Sequence, residues 1–167
     1  LNKIRTPAIS RRAQDVITKL KRMDLTNKLY KVFLIAGSEP LGTAGMQADI
    51  KSISACGGYA AGAITCIVDE DTIKVKSIQT IPVEMVVSQT YSFLEDVGAD
   101  CIKTGMLYSQ ELVTAIGDVV KKQSIPIVVD PVMVATSGAK LLQDDAVQAL
   151  TEKLLPLAEV LTPNIPE

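Results

Sequence analysis

Short apolar runs and helically spaced apolar residues alternate along most of this 167-residue chain. Lys31 to Ile35 is apolar enough to predict a first strand, and Gly37, Gly42 and Gly45 break the stretch that follows. From Ala44 to Cys56 the residues Met46, Ile50 and Ile53 recur at helical spacing, and Gly57-Gly58 supplies the usual stop. Tyr59 to Val68 is nearly continuous apolar sequence, the pattern of a strand buried on both faces, and Asp69-Glu70-Asp71 predicts its end. Lys74 to Ile78 alternates like a short edge strand.

The alternation then repeats. Pro82 opens a helix to about Asp96, Pro being favoured at the first helical position. Cys101 to Thr104 reads as a strand, and Ser109 as the N-cap of a helix carrying Leu112, Val113, Ile116, Val119 and Val120. Ile125 to Val129 is the next strand, with Pro126 tolerable near its start. Asp144 and Asp145 suit the first turn of a last helix through Leu155, and Val160 to Thr162 begins a further strand. Strands alternating with helices predict a three-layer α/β fold: a mostly parallel sheet with helices on both faces.

Residues 1–30 differ in character, being rich in Lys and Arg with Asp15 and Asp24 the acids. Ile9, Val16, Ile17 and Leu20 make one apolar stripe, with Ser10 as an N-cap, so the segment reads either as a short amphipathic helix or as a frayed leader. The domain is expected from residue 31 to residue 167, with 1–30 as a basic extension.

Composition narrows the function. Hydrophobic residues at 47% and charged residues at 22% fit one globular domain with its own core. A net charge of −2 with two Phe, four Tyr and no Trp argues against a nucleic-acid partner. No apolar run approaches the ~20 residues of a spanning helix, so no membrane role is expected and the location is read as cytoplasmic. Cys56, Cys66 and Cys101 lack metal or disulfide spacing and read as buried free thiols. The chain has no histidine, which removes every His-based nucleophile and metal site.

In open α/β sheets, ligands bind beyond the carboxyl ends of the strands. The residues there would be the loop Gly37 to Gly45, then Asp69 to Asp71, Gly105-Met106, Asp130-Pro131-Val132, and Asn164 with Glu167. The glycine spacing matches neither the dinucleotide nor the P-loop pattern. Asp49, one turn into the first helix, is either a ligand acceptor or a solvated charge. Asp130, Asn164 and Glu167 share one edge as oxygen donors, which suits a magnesium ion that keeps its waters and bridges to phosphates.

Five blocks in order, IAGSEPLGTAGMQADIKS, GGYAAGAIT, IKTGML, VVDPVM and LTPNIPE, closely resemble the hydroxymethylpyrimidine/phosphomethylpyrimidine kinases of the ribokinase-like superfamily, over about residues 32–167. The resemblance implies an ATP- and magnesium-dependent kinase of thiamine biosynthesis acting on 4-amino-5-hydroxymethyl-2-methylpyrimidine and its monophosphate. It places the pyrimidine pocket on Gly37, Ala44, Asp49, Glu70, Met106 and Val132, and magnesium and phosphate placement on Asn164 and Glu167 with Asp130 nearby. A homodimer is compatible with it.

This chain departs from the family pattern at Glu39 (usually Asp), Leu41 (Ser), Thr43 (Gly), Glu70 (commonly Gln) and Asp71 (Asn). These departures keep a pyridoxine/pyridoxal-type vitamin kinase open, and the missing C-terminal half keeps open a non-catalytic α/β module that binds a small molecule. The resemblance also implies a later Gly-Thr-Gly-Cys-like segment carrying the catalytic groups, and none occurs among the 167 residues. The expectation is a C-terminally incomplete ribokinase-like domain that is inactive or weakly active alone and carries no catalytic residue of its own.

Overall fold

The computed structural model describes residues 28–134, 141–165 and 167. The helix predicted within the leading basic segment lies outside the described residues. Six strands form one sheet: β1 (Lys31–Ser38), β2 (Tyr59–Glu70), β3 (Val75–Thr80), β4 (Cys101–Thr104), β5 (Ile127–Val129) and β6 (Val160–Leu161). Their order is β3-β2-β1-β4-β5-β6, and every pair is parallel except the β2–β3 hairpin at one edge. The helices are α1 (Gly45–Ala55), α2 (Val83–Asp96), α3 (Gln110–Val120) and α4 (Asp144–Ala149). The predicted α/β architecture is the observed one.

One face of the sheet carries the main core. Phe33 and Ile35 of β1, Ile102 of β4 and Val129 of β5 pack against Val86 of α2, Val113 and Ile116 of α3, and Leu150 and Leu154 beyond α4. The Phe33 ring stacks on Phe93 of α2 at 4.7 Å. α1 packs on β1 and β2 and supplies no residue to that core. β1 and β2 approach so closely that a Cβ on Gly62 would lie 2.3 Å from the Leu34 carbonyl oxygen.

Several details depart from the sequence expectation. β1 continues through Gly37 to Ser38, and β2 runs through Asp69 and Glu70 instead of stopping before them. The acids stay in the strand because β3 pairs with them: Asp69 sits opposite Ser77 and Glu70 opposite Val75. Lys76 also balances Asp69 and Asp71, at 3.8 and 3.2 Å. Nor is β2 buried on both faces: Tyr59 and Ile67 are each 45% exposed.

Cys56 is exposed at the C-terminal end of α1, Cys101 is half-buried, and only Cys66 is a buried thiol as expected. The last helix is α-helical only to Ala149, then widens into a π turn (Leu150–Leu154) and tightens into a 3-10 turn (Leu155–Leu157). Pro156 accounts for this, since it has no amide to donate and its ring crowds the carbonyl four residues back.

The loop between β1 and α1 is held from inside. Ala44, at the N-cap of α1, has no side-chain acceptor to offer the helix, so the free amides there need one from elsewhere. Glu39 supplies it. Its buried carboxylate accepts the amide hydrogens of Leu41 and Thr43, and that of Ala44 at 2.8 Å. Burial alone would raise the Glu39 carboxyl, but the amides of Ala44, Thr43, Leu41 and Gly42 outweigh it and hold the group below its ordinary value. Gly45 then enters the helix at φ +57°, where a Cβ would lie 2.4 Å from the Gly37 carbonyl oxygen. A residue with a side chain would push α1 away from β1.

Two stability changes follow. Gly62→Ala should destabilise the fold by about 1–3 kcal/mol in urea unfolding, because the methyl group would meet the Leu34 carbonyl and Cβ, neither of which can swing aside. Glu39→Gln should cost about 1–2 kcal/mol at neutral pH, since a carboxamide offers a weaker, uncharged acceptor to the same amides. A carboxyl depressed in the fold stabilises it above its unfolded value and loses that effect as pH falls through the folded value. The gap between wild type and Glu39→Gln should therefore close on acidification.

Candidate substrate cavity

The strand order places β1, β4, β5 and β6 side by side, so their carboxyl ends form one ledge. Backbone bonds keep the ledge continuous past the strands: Gly105 donates to Ile35 at 2.9 Å, Asp130 to Thr104 at 3.0 Å and Thr162 to Val129 at 3.1 Å. Above the ledge lies a cavity of about 610 Å³, bounded by the Glu39 loop on one side and the β2–β3 turn on another. That volume suits a small heterocycle with room for further groups.

Of the residues expected in the pyrimidine pocket, Gly37, Ala44, Glu70, Met106 and Val132 all line this cavity. Asp130, Asn164 and Glu167 line it as well. Asp49 is not among the lining residues; its carboxylate receives the Lys103 ammonium at 2.7 Å. Val68 and Met106 give the cavity an apolar floor, packed against the fully buried Cys66. The Cys66 thiol lies 3.8 Å from the Met106 sulfur, and burial pushes that thiol above its ordinary value, against the pull of Thr65. Thr65 also donates to the Met106 carbonyl at 2.6 Å, which fixes the methionine. A Cβ on Gly37 would lie 3.0 Å from the Cys66 sulfur, so glycine keeps the floor clear. Val132 holds φ +39°, a costly backbone state for a β-branched residue, and lines the cavity in that conformation.

The charged end centres on Lys103, a residue to which the sequence reading gave no role. Lys103 sits inside β4, and its ammonium reaches Asp49 at 2.7 Å and Asp130 at 3.4 Å, with all three side chains largely covered. A lysine within an apolar strand between two apolar elements was the available signal, because a charge there requires a partner. Burial pushes the Asp130 carboxyl up against the attraction of Lys103, and the charges of Glu167 and Asp49 add to the rise. Glu167 accepts from the amide of Met133 at 2.8 Å and from that of Asn164 at 3.2 Å, while the Asn164 side-chain oxygen accepts from the Glu167 amide at 3.2 Å. This pair therefore braces the loop after β5 as well as facing the cavity.

Among the described residues no three Cys, Asp or Glu side chains cluster closely enough to hold a metal by themselves. The oxygen donors of Asp130, Asn164 and Glu167 fit a magnesium ion that retains most of its waters, and do not form a cage. No helix among the described residues is long and apolar enough to cross a membrane.

Comparison with known proteins places this geometry in a family. The family model described as phosphomethylpyrimidine kinase matches residues 39–167. A hydroxymethylpyrimidine/phosphomethylpyrimidine kinase of Rhizobium meliloti is 46% identical over 133 residues, covering 80% of this chain and 50% of the relative. The Staphylococcus aureus enzyme of that name is 42% identical over 134 residues, and the chain spans about half of its length too (49%). The crystal structure of phosphomethylpyrimidine kinase from Clostridium difficile superposes with a TM-score of 0.77 at 37% identity, over 84% of this chain and 61% of that one. The Staphylococcus aureus pyridoxal kinase solved with AMP-PCP and pyridoxal superposes at 0.71 with 36% identity, over 83% of this chain and 49% of that one. On sequence and on fold together, the chain belongs to the phosphomethylpyrimidine kinase family.

Proposed function

We propose that the protein carries the substrate-binding part of an ATP-dependent kinase that phosphorylates 4-amino-5-hydroxymethyl-2-methylpyrimidine and its monophosphate in thiamine biosynthesis. The observation that carries this reading is the cavity itself, whose lining brings Gly37, Met106 and Val132 together with the oxygen-bearing Asp130, Asn164 and Glu167. The apolar residues suit a heteroaromatic ring, and the oxygen donors suit the phosphate side of the reaction. ATP use is supported by related kinases solved with AMP-PCP or ADP.

Magnesium, when bound, would neutralise phosphate charge and help orient the transferred group. Asp130 and Glu167 would hold it through its waters. Lys103 keeps Asp130 in place from the sheet side, and Asp49 holds Lys103 in turn. Glu39 fixes the loop that closes the pyrimidine end, so little ordering is left for the moment of binding. Phosphoryl transfer relies on positioning and on donors aimed at the developing charge. The amides expected for that task belong to the Gly-Thr-Gly-Cys-like segment of the family, so we expect weak or no turnover from these 167 residues alone.

A pyridoxal-type kinase is the second reading, favoured by the likeness to the pyridoxal-bound Staphylococcus aureus enzyme. We further propose a cytoplasmic location and assembly as a homodimer.

Calorimetric titration with the hydroxymethylpyrimidine and with pyridoxal tests the substrate assignment. Tighter binding of the pyrimidine is expected, and a preference for pyridoxal would reverse it. Asp49→Ala should weaken pyrimidine binding more than tenfold, a loss greater than about 1.4 kcal/mol. Without Asp49 the Lys103 ammonium loses its nearer partner and is free to shift toward Asp130 and the cavity. Unchanged affinity would remove Asp49 and its pair from the site.

A further inference from the structure

Among the described residues five carboxyl groups line the cavity, and four of them are committed. Glu39 accepts from the loop amides. Asp71 accepts from the amides of Ile73 and Lys74, at 2.9 and 3.0 Å, and pairs with Lys76. Asp130 is paired with Lys103, and Glu167 accepts from Met133 and Asn164. Among the described residues the Glu70 carboxyl has no such partner. It stands at the end of β2, near the apolar floor formed by Val68 and Met106.

The charges around Glu70 are mostly negative. Glu39 faces it from the β1–α1 loop and Asp71 follows it in sequence. Asp69 shares its strand, and Lys76 on β3 is engaged by Asp69 and Asp71. Lys74 stands in the β2–β3 turn, and Lys103 across the cavity is engaged by Asp49 and Asp130. Burial first, then the charges of Glu39 and Asp71, hold the Glu70 carboxyl above its ordinary value.

An ionised carboxylate can only accept hydrogen bonds, whereas a protonated one donates as well. The edge of a 4-aminopyrimidine offers one of each: the exocyclic amine donates and the adjacent ring nitrogen accepts. A carboxyl can meet both only if one proton lies between its second oxygen and the ring nitrogen. Glu39, held ionised by its amides, is in no position to supply that proton.

We propose that Glu70 reads the amino-nitrogen edge of the bound pyrimidine through two hydrogen bonds, one oxygen accepting from the exocyclic amine and the other sharing with the ring nitrogen a proton taken up from solution on binding. The inference rests on the pyrimidine reading of the cavity. It makes Glu70 a specificity-determining residue, because pyridoxal has no such amine-and-ring-nitrogen edge to present.

Calorimetry of 4-amino-5-hydroxymethyl-2-methylpyrimidine binding, at about pH 8 and in buffers of different ionisation enthalpy, tests it directly; ordinary carboxyls are ionised there. Wild type should take up close to one proton per ligand bound. Glu70→Gln, which carries its own donor and acceptor, should bind within about tenfold of wild type with uptake near zero. Wild-type binding without uptake, or the same uptake in Glu70→Gln, would overturn the Glu70 assignment and leave the pyrimidine reading standing. Failure of wild type to bind the pyrimidine at all would remove both.

Discussion

A lysine inside a central strand is the constraint on which the site depends. Lys103 lies on β4, between β1 and β5, where an unpaired ammonium would be costly. Its two partners come from different units: Asp49 from α1 and Asp130 from the end of β5. The pairing therefore ties the first helix to the far half of the ledge through one cation. Such a pair gives little net stability, because desolvation offsets much of the attraction. What it gives is placement, since Asp130 reaches the cavity with one side already occupied.

The opposite end of the cavity is organised by a carboxylate. Glu39 turns its charge inward to the amides of its own loop and to the start of α1. Stability and recognition meet there, because the same fixed charge that shapes the loop also acts on Glu70 across the cavity mouth. The Glu39 side chain is long enough for one residue to span from Leu41 to Ala44. Glu39 and Glu70 are close enough for the charge of one to act on the other, and they are best understood together.

Much of this architecture was legible in the pattern of residues. The strand Cys101–Thr104 and the cap at Ser109 fall where expected, and the glycine stop after the first helix matches Gly57 at φ +81°. Local rules sufficed there, because the signals are contained within one turn or one strand. They failed where a neighbour decided the outcome. Asp69 and Glu70 read as a strand terminator until β3 pairs with them, and the widened turn near Leu150 depends on Pro156 further along the same helix. Cys56 read as buried, yet it faces solvent because the helix ends at its position.

By itself the sequence determined the alternation of strand and helix, the absence of histidine chemistry, and the family, since each is written in residue identity and order. It also placed Gly37, Asp130 and Asn164 at strand ends, because periodicity locates where strands stop. Only the tertiary structure decided which of those ends meet. It committed Asp49 to Lys103, turned Glu39 inward, and left Glu70 as the free carboxyl among the described residues of the cavity wall. The physical reason is that hydrogen-bond capacity is shared in space: whether an acid can serve a ligand depends on which amides and ammonium groups reach it first, and those groups come from distant parts of the chain.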